Sequence, residues 1–146
     1  MTRGKHSRQR GFTLIEIMVV VIIIGLMAAV ITTQVMGRVE GARISKAKQD
    51  LHALEAALDL YKLDNISYPT TEQGLQALVT KPADANLTNW NPQGYVKRIS
   101  PDPWGKAYHY EFPGTHGGQY DLYTLGADGQ VGGEEANADI GNWNLE

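Results

Sequence analysis

The chain begins with a hydrophilic, basic stretch that changes abruptly into a long apolar run. This run extends from Phe12 to Ile31, and Glu16 is its only charged residue. As an α-helix its twenty residues would be about 30 Å long, which matches the hydrocarbon thickness of a bilayer. Its apolar residues surround the helix on all sides, as in lipid or in the core of a helix bundle. The pattern therefore predicts a transmembrane or fibre-core helix over residues 12–34.

A second helical pattern follows directly, and this one is amphipathic. Beyond Thr33 the apolar positions are separated alternately by three and four residues, which places them on one helix face: Ile44, Ala47, Leu51, Leu54, Leu58 and Tyr61. No proline occurs before Pro69. We therefore expect one continuous helix from about Phe12 to about Lys62, with its second half packed against a globular domain.

The chain after this helix contains signals for a short helix and a long loop. Thr70 and Gln73 have the spacing of a capping box, which predicts a helix reaching about Val79. Residues 83–98 have no clear period and are predicted to form an irregular loop that Trp90 and Tyr95 anchor.

Two stretches with a period of two predict a β-hairpin. Their alternate positions are aromatic or apolar: Tyr108, Tyr110 and Phe112, then Tyr120, Leu122 and Thr124. A short third strand near Gln130–Val131 is also expected. The predicted fold class is α+β, with a long N-terminal helix packed on a small antiparallel sheet and a Gly-rich C-terminal loop after Leu125.

Composition and charge exclude several functional classes. The 146 residues carry a formal net charge of -3 and no cysteine, so no disulfide can form. No basic patch is interleaved with aromatic residues, so nucleic acid is not an expected partner. No nucleophile motif or zinc-binding spacing of histidines occurs, so the chain is not expected to be an enzyme. The Lys/Arg cluster lies at the N-terminal flank of the apolar run, with no Lys or Arg between Phe12 and Gln34, which predicts a cytoplasmic N-terminus and a C-terminal domain on the other side of the membrane.

An ordinary secretory signal peptide is the simplest alternative interpretation of the N-terminus. Basic residues, an apolar core and the small pair Ala28-Ala29 would suit such a peptide. The apolar run is longer than a usual signal core, and Glu16 would lie inside it at a cost of a few kcal/mol. Both features favour a different kind of leader.

The stretch Gly11-Phe12-Thr13-Leu14-Ile15-Glu16 resembles the cleavage region of type IV pilin-like proteins. The resemblance implies that prepilin peptidase cuts after Gly11 and that the new N-terminal Phe12 is methylated. It also implies that Glu16 pairs with the α-amine of Phe12 in a neighbouring subunit during assembly. The alternative is that Glu16 lies close enough to the helix start to reach the lipid headgroups by itself.

Later blocks narrow the resemblance to the major pseudopilin family of type II secretion. They are Tyr68–Leu78, Asp102–Gly105, Leu125–Gly129 and Ala138–Trp143. The resemblance implies three regions: a cleaved leader over residues 1–11, the membrane or fibre-core helix over 12–34, and a periplasmic domain over 35–146.

The same resemblance implies a role as an inner-membrane protein with one membrane span, whose copies polymerise into a periplasmic fibre that supports protein export. The implied partners are further copies of the chain, minor pseudopilins, prepilin peptidase, the inner-membrane assembly platform and the membrane. The family commonly has a proline where this chain has Thr33, so helix melting at that point is less strongly implied.

The family's C-terminal loop binds calcium, and the acids of this loop are candidate ligands. The implied set is Asp128 and Glu135 with the backbone carbonyls of Leu125 and Gln130, while Asn137 and Asp139 are alternatives. Oxygen donors on a flexible loop suit the coordination shell of Ca²⁺. Scattered acids are also common as simple surface charges, and that alternative stays open here.

Two other functions remain compatible with the N-terminal pattern. One is a type IV pilin of an adhesion or motility fibre, which the missing cysteines and the later blocks disfavour. The other is a membrane-tethered binding module that never polymerises, for which the charge at Glu16 would not be required.

Overall fold

The computed structural model describes residues 11–83 and 87–145, except for the side chains of residues 30–36. The predicted leader lies outside this part apart from Gly11, and the side chain of Thr33 lies outside it as well. The chain divides into two compact units, Met1–Val39 and Glu40–Glu146. One α-helix, α1, contributes residues to both units, and the remaining elements belong to the second.

Helix α1 comprises Leu14–Asn65, close to the bounds that the sequence predicts. In the first unit, the large apolar side chains from Phe12 to Met27 are exposed, because the described residues of this unit form no second element against which they could pack. Among the residues that are described, no helix combines the length and the apolar character needed to cross a membrane.

In the second unit, α1 buries the face that its periodicity predicts. Its fully or nearly buried residues are Ala47, Leu51, Leu54, Ala57, Leu58 and Tyr61, and Ile44 packs at the edge of the same core. Burying each large aliphatic side chain contributes about 1.5–3 kcal/mol. This apolar face is therefore what holds α1 against the rest of the unit.

The capping box at Thr70 is confirmed, but it closes a turn rather than an α-helix. The backbone N–H of Gln73 donates to Thr70 Oγ1 at 3.2 Å, and the N–H of Thr70 donates to Gln73 Oε1 at 3.0 Å. Gly74 then adopts a φ of 57°, outside the helical region, and only the 3₁₀-helix Leu75–Leu78 follows. The short helix that the sequence predicts is thus present as a 3₁₀-helix, and the change of backbone at Gly74 separates it from the capping box.

The long loop is anchored by the two aromatic residues that the sequence indicates. The indole Nε1 of Trp90 donates to the carbonyl of Ala77 at 2.9 Å, and Tyr95 stacks edge-on against Trp90. The Tyr95 hydroxyl also donates to Asp64 Oδ2 at 3.0 Å, which ties the loop to the end of α1.

Three short antiparallel strands form the sheet in the order β1-β2-β3. They are β1 (His109–Glu111), β2 (Asp121–Thr124) and β3 (Ile140–Gly141). Tyr110 is paired with Leu122, and Thr124 with Ile140. The prediction of a third strand near Gln130–Val131 is wrong: Val131 is 87% exposed in a turn region, and the apolar Ile140 supplies the buried strand instead.

Directly after β3, the side chain of Asn142 takes the place of a strand partner for β2. Asn142 accepts a hydrogen bond at Oδ1 from the N–H of Leu122, at 3.1 Å, and donates from Nδ2 to the carbonyl of Tyr120, at 3.0 Å. Its own N–H donates to the carbonyl of Leu122 at 3.0 Å. Asn142 thus satisfies the backbone of β2 where β3 has already ended.

Candidate functional site

The start of α1 brings Glu16 back to Thr13 within a single chain. The N–H of Glu16 donates to Thr13 Oγ1 at 3.3 Å, and the N–H of Thr13 donates to Glu16 Oε2 at 3.5 Å. This is the reciprocal arrangement of a capping box, with Thr13 as the N-cap. The spacing of Thr13 and Glu16 in the sequence is that of a capping box, so the sequence itself carries this signal. Glu16 therefore has a local role that is independent of any second subunit.

The predicted cleavage position lies just before this cap. Gly11 and Phe12 precede the first helical residue, and both are exposed, Phe12 by 79%. A Cβ atom added at Gly11 would meet nothing within 4 Å in the folded chain. Any requirement for glycine at this position therefore comes from a molecule that acts on the chain and not from the chain's own packing.

The last two turns of α1 expose apolar as well as charged side chains. Three charged residues of these turns form hydrogen bonds with the rest of the domain: Asp59 accepts from the Tyr68 hydroxyl, Lys62 donates to Gln119, and Asp64 accepts from the Tyr95 hydroxyl. Three large apolar side chains are exposed beside them, namely Leu60, Leu63 and Ile66. This end of the helix presents an apolar surface to solvent.

Ile66 adds a backbone feature to that surface. Its φ is 71°, in the left-handed region that a β-branched residue rarely adopts. Its N–H donates to the carbonyl of Lys62 at 2.7 Å and closes the helix end, a position where glycine is the usual residue. The chain thus keeps an exposed isoleucine where glycine would cause less strain.

The first half of the candidate calcium loop is a tight turn. The N–H of Gly129 donates to the carbonyl of Leu125 at 3.2 Å, and the N–H of Gln130 donates to Asp128 Oδ1 at 3.0 Å. Asp128 and Gln130 are exposed, and Leu125 is half-buried. The carbonyl of Leu125 and the carboxylate of Asp128 therefore each already accept one backbone hydrogen bond.

In the second half of the loop, Asp139 is the best-placed carboxylate. Its Oδ2 accepts from the N–H of Gly132 at 2.8 Å, whereas its Oδ1 is buried and has no hydrogen-bond partner in the described part of the chain. Glu135 begins a 3₁₀ turn, Glu135–Asn137, with a φ of 53°, and its side chain is exposed, as is that of Asn137. A buried acceptor without a donor is costly, and a cation would satisfy it.

The fold brings the two halves of this loop into contact. The N–H of Ala127 donates to the carbonyl of Ala136 at 2.9 Å. Gly126, with a φ of 61°, lies so close to residues 136–138 that an added Cβ would meet backbone atoms at 2.8–2.9 Å. No three acidic or histidine side chains of the described residues converge closely enough to hold a metal ion by themselves. A site in this loop would therefore need backbone carbonyls in addition to the carboxylates.

Asp102, from the block Asp102–Gly105, fixes the start of the loop. It is only 4% exposed, and its Oδ1 accepts from the N–H groups of Trp104 and Lys106 at 3.0 and 2.8 Å. Its Oδ2 accepts from the hydroxyl of Thr124, which in turn accepts from the N–H of Gly126 at 3.3 Å. The turn after residue 101 is thus connected through Thr124 to the first residues of the loop.

A second buried carboxylate, Asp121, was not found from the sequence. Strand alternation places it on the outer face, yet it is 1% exposed. It accepts hydrogen bonds from Thr115 and His116, including 2.7 Å from the N–H of Thr115 and 2.9 Å to His116 Nδ1. Burial raises the pKa of Asp121, but these hydrogen bonds outweigh burial and lower the pKa to about 2. Asp121 thereby organises the hairpin loop that covers it.

Comparison with known families identifies both parts of the chain. Residues 34–143 match the family model described as type II secretion system (T2SS), protein G. Residues 6–32 match the prokaryotic N-terminal methylation motif.

Curated relatives carry one name. The type II secretion system core protein G of Pseudomonas aeruginosa is 56% identical over 140 residues, which cover 95% of this chain and 98% of that protein. The core protein G of Vibrio cholerae is 54% identical over 142 residues, covering 97% of each chain.

A solved structure supports the same assignment. The crystal structure of the major pseudopilin from the type 2 secretion system of enterohaemorrhagic Escherichia coli is 45% identical, with a TM-score of 0.64. The match covers 74% of this chain and 92% of that one. The fold, a long helix packed on a three-stranded sheet, and the sequence identity over almost the whole chain lead to the same assignment. The chain belongs to the type II secretion system protein G family of major pseudopilins.

Proposed function

We propose that this chain is the structural subunit that polymerises into the periplasmic pseudopilus of a type II secretion system. The observation that carries the proposal is the match of residues 34–143 to the protein G family directly after a methylation motif over residues 6–32. The fibre would support export of folded proteins across the outer membrane. A structural subunit needs no catalytic group, and the role proposed for this chain is not enzymatic.

The exposed apolar surfaces support assembly with further copies. In the first unit the large apolar side chains from Phe12 to Met27 have no partner element among residues 11–39, and in the second Leu60, Leu63 and Ile66 face solvent. Contiguous exposed apolar surface usually marks a site of association. We assign the first surface to the inner membrane before assembly and to the fibre core afterwards.

The leader sequence supports the orientation and the processing step. Arg3, Lys5, Arg8 and Arg10 precede the apolar run, which favours a cytoplasmic N-terminus and a periplasmic C-terminal domain. Prepilin peptidase would cut after Gly11 and leave an N-methylated Phe12. The other partners that this role requires are the inner-membrane assembly platform and minor pseudopilins.

Glu16 is proposed to neutralise the α-amine of Phe12 in a neighbouring subunit. A carboxylate surrounded by apolar side chains is costly unless a cation pairs with it. The capping box with Thr13 supplies a second reason for an acid here, and the two roles can be separated. Glutamine keeps the hydrogen-bonding geometry of the box but carries no charge, whereas leucine removes both.

The test compares Glu16→Gln with Glu16→Leu in cells that lack the chromosomal copy of the gene. Fibre yield is measured by shearing or cross-linking, and export by the amount of an exoprotein in the medium. If the charge pairs subunits, Glu16→Gln assembles as poorly as Glu16→Leu, although both proteins accumulate in the membrane. Normal fibres from Glu16→Gln would show that only the cap matters. Normal fibres and export from both variants would contradict the assembly role.

We further propose that the C-terminal loop holds a structural Ca²⁺. The residues present fit the ion, because Asp139 has a buried Oδ1 with no partner among the described residues and the loop offers carbonyl oxygens nearby. Leu125 and Gln130 would contribute carbonyls, and Asp128 and Asp139 carboxylates, with Glu135 and Asn137 on the adjoining turn as further donors. Bound calcium would supply a cross-link between the two halves of a loop in a chain without cysteine.

A further inference from the structure

The side chain of Lys106 lies inside the first turn of the C-terminal loop. Its Nζ donates to the carbonyl of Ala127 at 2.9 Å and to that of Gly126 at 3.4 Å. A Cβ atom added at Gly129 would lie 2.5 Å from the same Nζ and 3.0 Å from Cε. The carbonyls of residues 126 and 127 therefore point to an ammonium group that belongs to the chain itself, and Gly129 leaves the space for it.

The backbone of Lys106 is held by Asp102, which fixes the point from which its side chain extends. Its N–H donates to Asp102 Oδ1 at 2.8 Å, and its carbonyl accepts from the N–H of Asp102 at 2.7 Å. Asp102 is buried and is bonded in turn to Thr124 at the end of β2. The lysine thus connects a fixed point of the sheet to the loop.

The charge of Lys106 is balanced by carbonyl dipoles. Within the described part of the chain, no carboxylate lies at ion-pair distance from its Nζ. A lysine that served only solubility would extend into water, because partial burial of its strongly hydrated ammonium group costs free energy. Here the head lies against two adjacent carbonyls of one turn, which is an arrangement that orders the turn.

We propose that Lys106 is a positioning residue that holds the turn Leu125–Gln130 in its ligand-presenting form without any metal ion. The proposal rests on the proposed calcium site, because it assigns the lysine a share of the ordering that calcium would otherwise supply alone. Lys106 and Ca²⁺ act on the same turn, the lysine through the carbonyls of Gly126 and Ala127, and the ion through Leu125, Asp128 and Gln130.

A turn that Lys106 already holds in its ligand-presenting form binds calcium without a further cost of ordering, and this gives the proposal its signature. Without the ammonium, calcium must order the turn itself, so its apparent Kd rises as the fraction of chains with an ordered turn falls. The stabilisation by calcium should therefore be smaller in a variant without the ammonium than in the wild type. A lysine that only packed its aliphatic stem would leave the stabilisation by calcium unchanged.

The experiment uses the full chain in detergent micelles, in excess CaCl₂ or in excess chelator. Lys106→Met keeps the stem and removes the charge, Lys106→Arg keeps the charge, and Lys97→Met removes an exposed lysine elsewhere. Thermal unfolding is followed by circular dichroism. Amide hydrogen exchange of Ala127 and Gly129 reports on the turn directly, because these N–H groups donate to Ala136 and Leu125.

In chelator, Lys106→Met should melt about 3–6 °C below both wild type and Lys97→Met, and the amides of Ala127 and Gly129 should exchange at least roughly tenfold faster. In calcium both differences should persist, and the rise in melting temperature that calcium produces should be smaller in Lys106→Met than in wild type, while Lys106→Arg should resemble wild type throughout. The proposal is overturned if Lys106→Met matches Lys97→Met in chelator, or if calcium raises the melting temperature of Lys106→Met at least as much as that of the wild type.

The two proposals fail in different ways. If calcium does not shift the wild-type melting temperature, the calcium site is wrong. In that case the exchange of Ala127 and Gly129 in chelator still decides whether Lys106 holds the turn: faster exchange in Lys106→Met supports it, and unchanged exchange rejects it.

Discussion

The indole Nε1 of Trp104 donates a hydrogen bond of 2.6 Å to Oε1 of Glu40. Glu40 is the first residue of the second unit, and its other carboxylate oxygen lies 3.3 Å from Arg43 Nη1. The turn that contains Trp104 is itself fixed to Asp102. This contact therefore joins the beginning of the domain's part of α1 to the turn that also carries Lys106.

Trp104→Phe should lower the stability of the domain through loss of this hydrogen bond. A bond to a charged acceptor contributes about 1.5–3 kcal/mol, and the smaller ring adds some loss of packing. Glu40→Gln keeps an acceptor and should lose less than half as much. Urea unfolding of the full chain measures both. Equal midpoints for Trp104→Phe and wild type would show that the contact does not stabilise the fold.

Gly11→Val should prevent removal of the leader. The side chain of residue 11 meets nothing in the chain's own fold, so the folded state tolerates the change, while a branched side chain would crowd the peptidase subsite. Mass spectrometry of the membrane fraction should find Met1 retained in the variant and an N-methylated Phe12 in the wild type. Gly11→Ala is the matched control and should still be cut. A cut near Ala29 in either protein would contradict the leader assignment.

Calcium should raise the melting temperature of the wild-type chain above its value in chelator. At a free concentration a hundred times the Kd, the stabilisation would be about 2.7 kcal/mol. Asp128→Ala should abolish the shift, and Asp139→Asn should reduce it strongly because the neutral amide leaves the buried Oδ1 position without charge. Glu135→Gln should retain most of it.

Magnesium serves as the control ion in that experiment and should substitute poorly, since its small octahedral shell suits a mixed carbonyl site badly. A large loss in Glu135→Gln with none in Asp139→Asn would instead favour Glu135 as the ligand. Identical melting curves in calcium and chelator would mean that these acids are only surface charge.

Asp121 should make folding sensitive to acid over a defined range. Its pKa in the folded chain is about 2, below the ordinary value of 3.8, so its ionised form favours the folded state. That contribution is complete above about pH 4 and is lost as the pH falls towards about 2. Asp121→Asn should therefore cost about 1–3 kcal/mol at neutral pH.

The difference between wild type and Asp121→Asn should shrink as the pH falls from about 4 to 2. Urea unfolding at several pH values measures it. Lys97→Met, which changes no carboxylate, is the control and should differ from wild type by the same amount throughout this pH range. A difference that stays constant down to about pH 2 would contradict the role of the Asp121 charge.

Periodicity predicted the parts of the fold that burial alone determines. The core face of α1 and the buried tyrosines of the hairpin follow from spacings of three, four and two residues, because apolar positions must coincide with the buried face. The clearest failures are local: Gly74 breaks a helix that the capping box begins, and Ile140 rather than Val131 forms the third strand. In both cases a single backbone angle or a distant pairing decides the outcome.

Polar side chains were harder to predict, since their partners lie far away in the sequence. Asp121 was expected on the outer face, but the hairpin loop folds back and donates hydrogen bonds to it. The helical period places Lys62 towards solvent, yet its ammonium donates to Gln119, 57 positions later. The sequence offers Asp139 only as an alternative ligand, and its buried oxygen is evident only from the fold. No local pattern encodes such contacts.

The amide of Asn142 has a consequence for how identical domains can meet. By occupying the N–H of Leu122 and the carbonyl of Tyr120, it leaves those groups of β2 unable to accept a strand from another molecule. Open sheet edges invite edge-to-edge aggregation, and a protein that gathers many copies side by side is especially exposed to it. With that stretch of β2 closed by a side chain, addition of a strand from a neighbouring copy is confined to the outer edges of β1 and β3.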